Sequence, residues 1–198
     1  MSAPRGVRLE ARLNRDEELA QVIEQFPEMS DRLVHVTSPK TRSYNCTAWA
    51  VHLTKTNIRP PIWGWDGAIS GEYWPESVPP RGTVRAYEEV FETFGYRPCV
   101  DGTFEIGTEK IALYAQDPLE CLHAARQTVN GMWTSKMGEC ADIEHHSPAH
   151  VAGSKFGQVV AFMARQYGLP RRLDSPSPTL VMPTQRLLGR HKGTLITS

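Results

Sequence analysis

Apolar residues recur along this chain first at helical spacing and later at strand spacing. Leu19, Val22, Ile23 and Phe26 stand at i, i+3, i+4 and i+7, behind Asn14 and Glu17 in capping-box positions, and Pro27 helps to end the run. Residues 1–13 are arginine-rich and lack that period, so a loose or edge segment is expected there. Leu33 to Val36 reads as a short strand and Ser38-Pro39 as a turn. Cys46, Trp49, Ala50 and Leu53 again share one helical face. Thr83 caps a further helix with Val84, Tyr87, Val90, Phe91 and Phe94 as its stripe and Gly95 as its stop. Then the period changes. Tyr96 to Val100, Lys110 to Ala115 and Cys121 to Val129 read as strands, and Asn130-Gly131 signals a hairpin into Met132 to Met137. Ser154 is placed to cap a last helix carrying Phe156, Val159, Val160, Met163 and Tyr167, stopped by Gly168 and Pro170.

Two stretches fall outside this pattern. Lys55 to Arg81 holds five prolines together with Trp63, Trp65, Tyr73 and Trp74. A loop of that length is a candidate lid or cleft wall, or else a cover whose tryptophans cap the core. From residue 171 onward, three prolines and many small polar residues predict a mobile tail, which carries a charge of +4 against −4 for the rest. The expected organisation is one domain over 1–170 and a basic tail over 171–198.

Composition narrows the function classes. The 198 residues carry no net charge, so no global field draws the protein to nucleic acid or to an anionic membrane. No run approaches the roughly 20 apolar residues of a membrane helix, and arginines occupy the N-terminus where a signal peptide needs an apolar core. A cytoplasmic protein is expected. Its four cysteines, Cys46, Cys99, Cys121 and Cys140, are scattered and are read as free thiols.

The chemistry-bearing residues are few. Cys46 opens its helix, with Ser43 or Asn45 as cap, so its thiol stands near the unpaired N–H groups and the positive end of the helix. That setting favours thiolate, and an imidazole alongside would complete a nucleophile and base. His123 is the candidate. Strand alternation puts His123, Ala125 and Gln127 on one face and Ala124 and Arg126 on the other. A two-residue turn at Asn130-Gly131 would bring Thr134 and Lys136 to the His123 face, whereas a three-residue turn or a bulge would bring Ser135. Glu144 is a further candidate to orient the ring. Structural roles for Cys46 and His123, as a small buried hydrophobe and a strand histidine, stand beside the catalytic ones. Cys140, Asp142, Glu144, His145, His146 and His150 have metal-ligand residue types, but Pro148 breaks the His146/His150 spacing, so no metal is expected. No phosphate-binding glycine motif appears, and no cofactor is expected.

Tyr44-Asn45-Cys46-Thr47-Ala48-Trp49-Ala50, Phe94-Gly95-Tyr96, Lys110 to Tyr114, His123 to Gln127 and Trp133 to Gly138 resemble an uncharacterised family of bacterial and fungal domains, over roughly residues 26–165. A cysteine heading a helix and a histidine heading a later strand is similar to the papain-like arrangement of cell-wall amidases and cysteine peptidases. The resemblance implies Cys46 as nucleophile, His123 as base and an orienting position near Ser135, where papain-like enzymes usually carry Asn, Asp, Gln or His. The expectation is therefore an α+β papain-like domain, with an N-terminal cysteine helix packed on a small antiparallel sheet. It would cleave an amide, ester or thioester bond of a peptide or protein substrate. The rival expectation is a non-catalytic protein-binding module in which Cys46 and His123 are structural. Oligomeric state is not legible.

Overall fold

A computed structural model describes residues 5–30, 32–60, 72–117 and 119–167, with side chains from residue 14 onward. Its centre is a seven-stranded antiparallel sheet in the order β1-β8-β7-β6-β5-β9-β4. The strands are β1 (Val34–Ser38), β4 (Arg97–Cys99), β5 (Thr108–Ala115), β6 (His123–Gln127), β7 (Trp133–Lys136), β8 (Asp142–His145) and β9 (Gln158–Gln166). Among the described residues, three α-helices accompany it: α1 (Arg5–Gln25), α2 (Cys46–Ala50) and α3 (Val84–Thr93). A two-residue parallel pair, β2 (Asn57–Ile58) and β3 (Glu72–Tyr73), lies apart from the sheet.

Period-two alternation gives the sheet two different faces. Ile111, Leu113, Ala115, Ala124 and Met163 look toward α2 and α3, and pack with Tyr44, Ala48, Val51, Val90 and Phe91. Ala112, Tyr114, Ala125, Trp133 and Ile143 look the other way, toward Val22 and Phe26 of α1 and toward Met29 and Val151. Both faces are covered, which is why β5, β6 and β7 are buried at every position.

This architecture corrects the papain-like α+β expectation. The chain is strand-rich, and the cysteine helix is a single turn of five residues laid on a seven-stranded sheet. The largest single difference is β9. Its segment was expected to be a helix capped by Ser154, because Phe156, Val159, Val160 and Met163 suit a helical stripe. Yet Val159 and Val160 are β-branched and the run from Val159 to Met163 is apolar, which equally suits a strand between two neighbours. The tertiary pairing decides: β9 aligns Met163 with Ile111 of β5 and with Pro98 of β4. Gly157, at φ +77°, makes the entry; a Cβ there would lie 2.1 Å from the Ala115 carbonyl oxygen. Two smaller corrections concern α1, which begins at Arg5 rather than at Asn14, and the polar stretch containing Glu144 and His145, which is strand β8.

The signals around α3 hold, whereas α2 ends at Ala50, short of the expected Leu53, and Ser38 closes β1 rather than opening a turn. Thr83 caps α3, its hydroxyl accepting from the Ala86 N–H, and Gly95 follows at φ +88°. Trp63 and Trp65 and the tail over 171–198 lie outside the described residues.

Candidate functional site

Cys46 is the first residue of α2. Asn45 caps the helix: its Oδ1 accepts from the N–H groups of Ala48 at 3.0 Å and Ile58 at 3.1 Å, while its Nδ2 donates to the Ile58 carbonyl at 2.8 Å. One side chain thus orients both the helix start and the β2 segment. Burial pushes the Cys46 thiol above its ordinary value, against the opposing pull of the Ala124 backbone and of Thr47. The cap and the N–H groups expected from the sequence are present, and desolvation outweighs them.

His123 begins β6, one residue before Ala124. That single step puts it on the other face. Ala124 belongs to the core under α2, whereas His123 stacks on Phe156 with ring centroids 4.0 Å apart and meets Tyr114 edge-on at 5.3 Å, both on the α1 side. The sheet therefore lies between the Cys46 and His123 side chains. His123 is brought instead to Ser135. The hairpin pairs Ala125 with Ser135 and Thr128 with Met132, leaving a three-residue turn with Gly131 at φ +83°. Of the two registers open from the sequence, this is the one that places Ser135 on the His123 face, and it sends Thr134 and Lys136 to the α2 face.

Ser135 also meets a histidine that the sequence pattern offered only as an unlikely metal ligand. Its Oγ lies 3.1 Å from His123 Nε2 and 3.0 Å from His145 Nε2, and His145 Nδ1 lies 2.8 Å from the Ser147 carbonyl oxygen. The chain of contacts settles its own protons. A carbonyl only accepts, so His145 Nδ1 carries the hydrogen and a neutral His145 has a bare Nε2. Ser135 then donates to His145 and accepts from His123 Nε2–H. This leaves the bare nitrogen at His123 Nδ1, a buried atom with no hydrogen-bond partner. An unpaired lone pair is the least costly orphan this arrangement permits. Burial and the neighbouring His145 hold His123 far down, at about 3, and burial holds His145 at about 4. Both rings are neutral at ordinary pH. His145 was missed because only Ile143 marks β8 as alternating; its flanking residues are all polar.

The α2 face carries its own polar groups. Lys136, fully buried, donates to the carbonyls of Gly138 at 2.7 Å and Cys140 at 2.5 Å and lies 3.9 Å from Asp142. Asp142 accepts from Tyr44 Oη at 2.5 Å and from Ser38. Glu109 is gripped by His52, Tyr96 and Arg165. Burial alone would raise its carboxyl, but the hydrogen bonds from His52 and Tyr96 and the charge of Arg165 bring it down to about 2. These groups brace the sheet, although Asp142 Oδ1 is buried without a hydrogen-bond partner and meets only the charge of Lys136, at 3.9 Å. Glu144 pairs with Thr134 and His35 across its neighbouring strands, on the face opposite His123.

An open cleft of about 400 Å³ lies at the other end of the α1 face. The β4–β5 loop, the β6–β7 turn and residues 146–148 surround it, with Gln127, Trp133 and Phe162 on the sheet and Phe104 on the loop. The β4–β5 loop also exposes Val100 and Ile106, and the β6–β7 turn exposes Val129. Among the described residues, no group of three or more His, Cys, Asp or Glu is gathered to hold a metal, and no helix is long and apolar enough to cross a membrane.

No curated protein and no solved structure matches the chain. One family does match, over residues 35–164, and its description assigns neither a fold nor an activity. That span runs from β1 to β9 and contains Cys46, His123, Ser135 and His145. The chain belongs to the family described as Domain of unknown function (DUF7689).

Proposed function

We propose that this domain is a non-catalytic binding module in which Cys46 and His123 are structural. One observation carries the reading: consecutive residues of β6 point to opposite faces, so the imidazole expected to take the thiol's proton packs against Phe156 while the thiol packs over Ala124. A general base must stand within hydrogen-bond reach of its proton, or within one water of it. The open cleft and the exposed apolar residues of its loops supply the surface such a module needs.

The cysteine-hydrolase reading keeps one favourable observation, the backbone N–H groups that draw the Cys46 thiol toward its charged form at the start of α2. Alkylation kinetics separate the two. In a binding module, Cys46 labels slowly below neutral pH and at the same rate in His123→Gln, whose amide still donates to Ser135. Rapid labelling below pH 7 that disappears in His123→Gln would overturn the proposal.

A further inference from the structure

Two guanidiniums share one carboxylate on the sheet face that α2 covers, and they share it unequally. Glu109 of β5 is fully buried. Arg165, its cross-strand neighbour on β9, reaches Glu109 Oε2 with Nε at 2.8 Å and Nη2 at 2.7 Å, and its Nη1 donates to the Phe94 carbonyl at 3.1 Å. Tyr96 Oη donates to the same carboxylate oxygen at 2.7 Å, and His52 Nε2 occupies Oε1. Arg126 of β6 is left over. Its Nη1 donates to the Trp49 carbonyl at 3.0 Å and its Cζ lies over the Trp49 ring, 4.9 Å from the centroid. Its Nε comes no closer to Glu109 Oε1 than 3.9 Å.

The backbone after α2 helps to keep that gap. The Leu53 N–H donates to the Ala48 carbonyl at 2.9 Å and the His52 N–H to the Trp49 carbonyl at 3.1 Å, a Schellman turn whose left-handed residue is most often glycine. Here it is His52, at φ +64°, where a side chain is disfavoured. The imidazole so placed holds Glu109 Oε1 and denies it to Arg126.

The consequence is an unmatched charge. Arg126 is 9% exposed, and charges buried to that degree are ordinarily paired. Glu109 and Arg165 balance each other. Burial pulls the Arg126 guanidinium down, against the more distant charge of Glu109. Among the described residues neither Nε nor Nη2 of Arg126 has a hydrogen-bond acceptor, and neither is shut off from solvent. The edge carrying those two nitrogens is the side of a guanidinium that takes a carboxylate through two parallel bonds. Tyr167, exposed just beyond β9, lies within reach of the same charges.

We infer that the Nε–Nη2 edge of Arg126 binds a small carboxylate, which completes a cluster of two guanidiniums and one acidic side chain. A planar carboxylate suits it better than a tetrahedral phosphate because Arg126 offers a single fork: Arg165 is engaged at all three nitrogens, and His52 Nε2 at Glu109. The inference goes beyond the binding-module reading and is tested apart from it, since acetate at Arg126 leaves the alkylation of Cys46 undecided and the reverse.

The probe is acetate, titrated into the full chain at neutral pH while chloride is withdrawn to hold the ionic strength, with acetamide as its neutral isostere. Binding is read from the Arg126 Nε–H and Trp49 indole N–H correlations, with exposed Arg42 as an internal control. The expected result is a saturable shift at Arg126 with a midpoint of about 10 mM acetate, as one charge-assisted pair supports, and none from acetamide. Arg126→Lys keeps the charge and removes the fork, so acetate binding followed at Trp49 should weaken about tenfold. No saturable shift at Arg126 below about 100 mM acetate would overturn the inference, as would an equal response to acetamide. Inorganic phosphate saturating the site at lower concentration than acetate would overturn the carboxylate assignment. The wild-type comparison needs no variant to fold.

Discussion

Lowering the pH from 8 to 5 should destabilise this domain by about 4 kcal/mol through two imidazoles alone. In the unfolded chain a histidine titrates near 6.5, whereas the folded domain holds His123 at about 3 and His145 at about 4, through burial and, for His123, the nearby His145. A depressed histidine favours the fold when neutral. Its contribution is complete above pH 6.5 and is lost as the pH falls, because the unfolded state takes up the proton first. At pH 5 each unfolded histidine is about 1.5 pH units below its midpoint while both folded rings are still neutral. Each unit is worth about 1.4 kcal/mol, so each ring forfeits about 2 kcal/mol. The structural cause is specific: protonation would put a hydrogen on the partnerless His123 Nδ1, or on His145 Nε2 where Ser135 already donates. Glu109 does not blur this window. Held at about 2, it supports the fold above about pH 4.5 and withdraws that support only at lower pH. The assay is urea unfolding at pH 8, 6.5 and 5, followed by tryptophan fluorescence. With a slope of about 2 kcal/mol per molar urea, the midpoint should fall by roughly 2 M, and by about half as much in His123→Gln. A midpoint that is unchanged between pH 8 and 5 would refute the buried, neutral pair.

The same hydrogen-bond chain fixes two tautomers, so nitrogen-15 spectra should show His123 protonated at Nε2 and His145 at Nδ1. Ser135→Ala should then destabilise the domain by about 2–4 kcal/mol, since two buried ring nitrogens lose their partner at once; a loss under about 1 kcal/mol would mean that the contacts at 3.0 and 3.1 Å are not hydrogen bonds. Gly157→Ala should be more severe, about 3 kcal/mol or beyond, because positive φ and a Cβ 2.1 Å from the Ala115 carbonyl oxygen act together. Thermal unfolding by circular dichroism measures that, and near-wild-type stability would mean that β9 does not enter the sheet at Gly157.

Much of the local structure was legible from residue types. The cap at Thr83, the cap at Asn45 as one of the two residues offered for α2, the stop at Gly95 and the hairpin at Asn130-Gly131 each rest on chemistry confined to a few neighbouring residues, and each is present. Alternation also grouped His123 with Gln127 and separated it from Ala124. It did not say which of those two sets α2 would cover, because that depends on a packing between residues some eighty positions apart. The expectation of a cysteine and histidine pair needed that missing fact. β9 was misread for a related reason: the run from Val159 to Met163 is apolar on both faces of the strand, so its period does not distinguish it from a helix. His145 was obscured by composition, since Asp142, Glu144 and His146 around it read as a solvated loop until β7 and β1 pair on either side. The cleft was not legible at all, as its wall combines residues from four separated segments of the chain.

The central claim, that the β-sheet separates His123 from Cys46, is tested most directly by nuclear Overhauser contacts from the His123 ring in a uniformly labelled sample. The account predicts contacts to the rings of Phe156 and Tyr114 on the α1 face. Contacts between the His123 ring and the Cys46 β-protons would contradict it and restore the catalytic pair.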